Sequence, residues 1–186
     1  MAKLRKPRSA EGQQITEFAA ALAILFFVVF IPLLDLGIMP VRWFLAQELV
    51  GTYARKLALC ETFSQSLARL AADPSMETKL IQIGGVRPRT LNCSLVISTT
   101  RDPVEHYIVT APKTIPAAWL PNGYRAPCDY QLQVLTIVDI SPVFTLQLGG
   151  SKIPGLSTPV PFTIAAESNW ENLGRDPVTK GYFINE

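Results

Sequence analysis

The sequence predicts an α+β fold in which a long N-terminal helix packs on a C-terminal antiparallel β-sheet of about four strands. Three observations predict it. An uncharged apolar run near the N-terminus continues into an amphipathic helical pattern, several later segments alternate with period two, and fifteen prolines against eleven glycines argue against an all-helical bundle. The 186 residues suit one globular unit rather than a large multidomain enzyme. Only 17% are charged, below the usual quarter, while 48% are hydrophobic and mean hydropathy is +0.23. Apolar material is therefore concentrated somewhere. A net charge of +2 speaks against a nucleic-acid binder working by bulk charge. Three cysteines and one histidine leave little for a zinc or haem site, so neither metal nor cofactor is expected.

Residues 1–12 (MAKLRKPRSAEG) carry Lys3, Arg5, Lys6 and Arg8 against Glu11, a net +3 that leaves −1 for residues 13–186. Phe18 to Leu34 is then seventeen residues without a charge or strong hydrogen-bonding side chain. At ~1.5 Å per residue it spans roughly 25 Å, close to the hydrocarbon core of a bilayer. Ile38 to Val41 extends it past Asp35, which predicts a membrane span over about residues 18–41. The preceding cations place the N-terminus in the cytoplasm and the remainder across the membrane. A cleaved secretory signal is disfavoured because the chain after Leu34 reads LDLGIMPVRW, with no small-x-small site. A permanent signal anchor fits the segment as well.

Glu17 touches the start of this run. An acidic group costs about 2.5–3.5 kcal/mol at the centre of a span and less toward its edge. Favouring the positive end of a helix returns only ~0.3–1 kcal/mol. A positive partner at the same depth accounts for it better, and cleavage after Gly12 would create one, the free amine of Gln13.

Beyond the membrane, Leu49, Tyr53, Leu57, Cys60, Phe63, Leu67 and Leu70 recur at helical spacing, so the helix is predicted to continue until Asp73-Pro74 closes it. Pro32 and Pro40 are candidate kinks. The organisation predicted is a basic leader over 1–12, a helix over 13–72 and a β-rich extracytoplasmic domain over 73–186. Strands are predicted at Asn92–Thr99, Val104–Thr110, Tyr130–Ile140 and about Val160–Ser168, the last at an edge because of Pro161. In the third, Tyr130, Leu132, Val134, Val138 and Ile140 share a face. Arg101-Asp102-Pro103 reads as a turn, Ala111 to Pro127 and Gly149 to Pro161 as loops, and residues 171–186 as a polar tail.

Little here points to catalysis. His106 stands alone in a strand pattern, and no GxSxG, Walker A, GxGxxG or HExxH is present, so no catalytic residue is predicted. An extracytoplasmic domain permits a disulfide among Cys60, Cys93 and Cys128. Three pairings are open, as is the reading of all three as small buried apolar groups. Among bridges Cys93–Cys128 is preferred; it would close a loop of about 35 residues and contribute roughly 3–4 kcal/mol.

The basic leader ending in Gly12, the four residues Gln13 to Thr16, then Glu17-Phe18 and an apolar helix together resemble the prepilin processing motif of type IV filament subunits. Glu-Phe directly after the fourth residue is similar to the Tad (Flp, tight-adherence) branch. Leu33-Leu34-Asp35-Leu36-Gly37, Pro32, the looser Gly51-Thr52-Tyr53-Ala54-Arg55, and the closing VLTIVDISPVFTLQLGG…IPGLSTPVPFTIAAESNWE extend the likeness to TadE-like minor pilins, with none over residues 73–127. The resemblance implies a pilin-like fold and a chain cut after Gly12 by a prepilin peptidase, with Phe18 matching the bulky position after the glutamate. It implies that Glu17 supports assembly through the apolar helix with other pilin subunits and the inner-membrane pilus machinery, the chain residing in the lipid bilayer of the bacterial inner membrane beforehand. The alternative from the residues themselves is an uncleaved, single-pass anchored binding module.

Overall fold

A computed structural model describes residues 10–145 and 152–185 of the chain; most of the basic leader, residues 1–9, lies outside the described residues. Helix α1 (Ala10–Ile24) passes through a π-helical segment (Leu25–Phe30) into helix α2 (Ile31–Ala58). Pro32 explains the wider turn. Its ring lacks an N–H and crowds the carbonyl four residues back, and the π register, in which the Ile31 N–H bonds to the Phe26 carbonyl, absorbs the mismatch. Helix α2 runs through Pro40 without interruption.

The helix predicted to reach Ala72 stops at Ala58, and helix α3 (Phe63–Ala72) starts afresh. The cause is an N-cap at Thr62 with Gln65 reaching back one residue beyond it, a variant of the capping box. The Thr62 hydroxyl accepts from the Gln65 N–H at 3.2 Å, and Gln65 Oε1 accepts from the Glu61 N–H at 3.2 Å. The buried Ser66 hydroxyl donates to the Leu57 carbonyl at 2.8 Å, tying the two helices at their junction. A further helix, α4 (Ser75–Gln82), stands where only sheet and loop are predicted. Asp73 stops α3 and also accepts from the Ser75 N–H at 2.9 Å, while Met76 and Leu80, one turn apart, are buried.

The sheet is four-stranded and antiparallel throughout, in the order β2-β1-β3-β4. Its strands are β1 (Val86–Thr99), β2 (His106–Val109), β3 (Cys128–Ile140) and β4 (Val160–Asn169). All four predicted strands are present, β1 beginning six residues earlier than its pattern suggested and β4 at an edge. Pro88 cannot donate to the ladder, and the register shifts between Pro88 and Thr90. Arg89, set aside by that shift, pairs with Asp139 on β3 at 2.6 Å.

Helix α2 lies across β3 and β4, and α4 covers β1. The inward face of the sheet carries Leu95, Ile97, Leu132, Val134, Val138, Ile140 and Ile164, all without measurable exposure. The helix meets it with Ala46, Val50, Tyr53, Ala54, Leu57 and Ala58. The small residues in that row let helix and sheet approach closely. Of the predicted stripe, Tyr53, Leu57, Cys60 and Phe63 are buried while Leu49, Leu67 and Leu70 are half-buried. Residues 171–185 are not a free polar tail. Ile184 is buried in the core, and Asn185 accepts from the Ile115 N–H at 2.7 Å, pinning the long loop between β2 and β3.

Because α2 supplies one wall of the core, a fragment starting near Val41 is expected to fold and one starting at Asp73 is not; normal cooperative unfolding of the shorter fragment would show the helix to be dispensable. In the longer fragment, Phe63→Ala should cost about 3–5 kcal/mol by denaturant titration.

Candidate functional site

One helical stretch among the described residues, Gln14–Ala58, is long and apolar enough to cross a membrane. At ~1.5 Å per residue its 45 residues reach about 68 Å, more than twice a bilayer core. Its two ends have different surroundings. From Gln14 to Phe30 every side chain is exposed, Phe18 by 70% and Phe27 by 58%. From Ile31 onward a stripe is covered: Ile31, Asp35 and Met39 at steps of four, then Ala46 and Val50. The bare part carries a hollow of about 610 Å³ lined by Ala19, Leu22, Phe26, Phe30 and their neighbours, with no charged residue in it.

The predicted processing and assembly residues lie at the tip of this bare part. Gly12 and Gln13 belong to α1, and Glu17 lies one turn after Gln13 with its side chain exposed, next to exposed Phe18. The i,i+4 spacing places Gln13 and Glu17 along one face. The side chains of residues 10–13 are outside the described part.

Asp35 carries more than its place in the motif suggests. It has no exposed surface, and its Oδ1 accepts from the N–H groups of Val143 at 2.7 Å and Phe144 at 3.1 Å, in the segment leaving β3. Its Oδ2 is buried without a hydrogen-bond partner. Two turns further on, the Arg42 guanidinium donates to the Ser141 carbonyl at 2.5 Å. It also lies against Gly85, whose φ of +72° favours glycine; a Cβ there would lie 2.7 Å from Arg42 Nη1 and displace the guanidinium. Arg42 and Asp35 thus hold residues 141–144 as a strap running along the helix toward its bare end. The signal for this was an acid and a base seven residues apart on one helix face.

The remaining candidates separate. His106 Nδ1 lies 2.8 Å from Ser98 Oγ, an exposed pair across the β1–β2 ladder. The neighbouring Glu105 is engaged by Arg125 and does not orient the imidazole. The preferred disulfide is not formed; all three cysteines are free. Cys93 pairs in register with Val134 and Cys128 with Thr99, so six residues of β3, about 20 Å of strand, lie between the two positions. A bridge needs Cα atoms within about 7 Å. The sequence placed both cysteines near the starts of their strands, but antiparallel pairing brings the start of one opposite the end of the other.

Compared with known proteins, the chain matches no family model, no curated protein and no solved structure.

Burial, with Cys60 nearby, pushes the Cys93 thiol from 9.0 up to about 12. The unfolded thiol therefore ionises first, and this group's contribution to stability falls as pH rises from about 9 toward 12. Iodoacetamide at pH 8 should leave Cys93 unmodified in the folded chain and label it in guanidinium, by mass spectrometry of the peptides.

Proposed function

We propose that this chain is a pilin-type structural subunit, a TadE-like minor pilin or pseudopilin, rather than an enzyme. A prepilin peptidase would cut it after Gly12, and its bare helix would assemble into a Tad/Flp-type pilus or the inner-membrane complex that builds one. The observation that carries the reading is the placement of one motif. Gly12, the fifth-position Glu17 and Phe18 stand at the tip of an apolar helix that the chain's own β domain leaves uncovered from Gln14 to Phe30. An anchor needs the apolar helix but has no use for the acid at its edge. A sheet domain on the far half of the same helix is compatible with a pilin-like architecture. In this reading the N-terminus is cytoplasmic before cleavage and the β domain extracytoplasmic.

The processing test is direct. Co-expressed with its peptidase, the membrane-extracted chain should begin at Gln13, and replacing Gly12 by a bulky residue should block cleavage while insertion persists. A chain that still begins at Met1 leaves the uncleaved binding module as the better account.

Assembly depends on Glu17 in the same reading. After cleavage, a neighbour's Gln13 amine lies at the depth of this carboxylate in a low-dielectric bundle. Removing one partner strands the other charge, about 3–5 kcal/mol for a buried pair. Glu17→Val should therefore leave insertion and cleavage intact but lower the yield of crosslinked pilin adducts from membranes. Equal adduct yields at equal protein levels would remove the assembly role.

A further inference from the structure

The strap held by Asp35 ends in two exposed apolar side chains, Val143 at 42% and Phe144 at 45% exposure. Their N–H groups bond to the Asp35 carboxylate, so they sit level with the last residues of the apolar run. Leu33, Leu34 and Leu36 are exposed on the helix at that same level, and Val41, Trp43 and Phe44 just above it. Helix and strap together form one apolar collar, continuous with the bare helix below. The cover over the helix reaches Ile31, inside the uncharged run that ends at Leu34. If that run fills the hydrocarbon, the strap lies at the membrane border.

We propose that Val143 and Phe144 form a second membrane contact, seated at the boundary between acyl chains and headgroups of a lipid bilayer. Asp35 is the residue that holds them there. The occupant fits on three grounds. The collar continues the surface of the one helix able to span a membrane. Trp43 stands at its upper part, as tryptophans do in interfacial belts. A carboxylate at this depth is tolerable because the two backbone N–H groups satisfy one oxygen and the protein covers both. The consequence is orientation: with helix and strap both in contact, the sheet cannot swing freely about its anchor. This inference rests on the membrane-spanning reading of the helix but not on the pilin reading.

The test uses the full chain in phosphatidylcholine–phosphatidylglycerol vesicles at low protein-to-lipid ratio, in a Cys128→Ser background where Cys60 and Cys93 are buried. One added cysteine at Leu25, Phe144 or Thr163 carries an environment-sensitive fluorophore, and lipids brominated near the methyl end of the acyl chain, at the depth of position 25, or near its headgroup end, at the depth of position 144, serve as quenchers. The expected result is loss of most fluorescence at 25 and 144 and none at 163. Quenching at 25 without quenching at 144 overturns the inference and leaves the span intact. Quenching at neither position overturns the span and the inference with it. A label at 144 that is shielded only as protein density rises points to a second copy of the chain and overturns the lipid assignment. For Asp35, quenching at 144 should persist in Asp35→Asn, which still offers an acceptor oxygen, and fall in Asp35→Leu with far-UV dichroism unchanged. Equal quenching in both variants removes the holding role of Asp35.

Discussion

Everything in this molecule hangs on the close seating of helix α2 against the inward face of the sheet. Ala46, Ala54 and Ala58 present only a methyl group each, with Val50 among them, and Val134, Val138, Ile140 and Ile164 fill the space opposite. Such an interface is close-packed, so the helix cannot slide or rotate on the sheet without opening voids or clashing. Because α2 continues through the π-helical turn into α1, that fixed seating also sets the direction of the bare helix. The β domain is thereby built around one end of a long lever.

The polar contacts along the helix extend this control past the core. Arg42 and Asp35 do with two side chains what the hydrophobic layer cannot do beyond the end of the sheet. They hold the chain leaving β3 against the helix, giving its backbone groups partners where no strand is available. The arrangement is expensive in one respect, since Asp35 Oδ2 is buried without a partner. A carboxylate that accepts two consecutive N–H groups is nonetheless a specific latch, because an apolar residue there would leave both donors unsatisfied.

Much of this was legible in the sequence. Strand positions followed from alternation, since each strand has one face on the core and the pattern at Tyr130–Ile140 states which. The α+β class followed from the same reading. The helix break is legible in principle, since Thr62-x-x-Gln65 is a cap signature, but an apolar stripe at helical spacing runs straight across it and hides the cap. Asp73-Pro74 reads as a stop, yet the residues that end one helix can begin the next, and α4 starts there. Two things had no local signal. The buried row of alanines is invisible to a search for large apolar residues, and the pairing of Asp35 with Val143 and Phe144 spans 108 and 109 positions of chain. The cysteine bridge failed for a related reason, since proximity to a strand start says nothing about register.

The bare half of the helix poses a question of specificity that its apolar surface cannot answer. Fully burying a large apolar side chain contributes roughly 1.5–3 kcal/mol, so Phe18, Leu22, Phe26, Phe27 and Phe30 together make an isolated helix in water untenable. Lipid tails and neighbouring apolar helices meet that demand about equally, because hydrocarbon is as apolar as leucine. Hydrophobicity therefore places this segment in an apolar phase without choosing between bilayer and bundle. The choice must come from groups whose energy differs between the two, and such groups are scarce here: Glu17 at the tip and whatever charge lies beside it. In a bilayer a carboxylate at the edge of the span turns to water at small cost. In the proposed bundle its charge would lie in an apolar surround where a neighbour's cation counts for more, so on that reading the same residue that is nearly neutral for insertion would matter for assembly. On the proposed reading that difference lets a single helix wait in the membrane and later leave it for a filament.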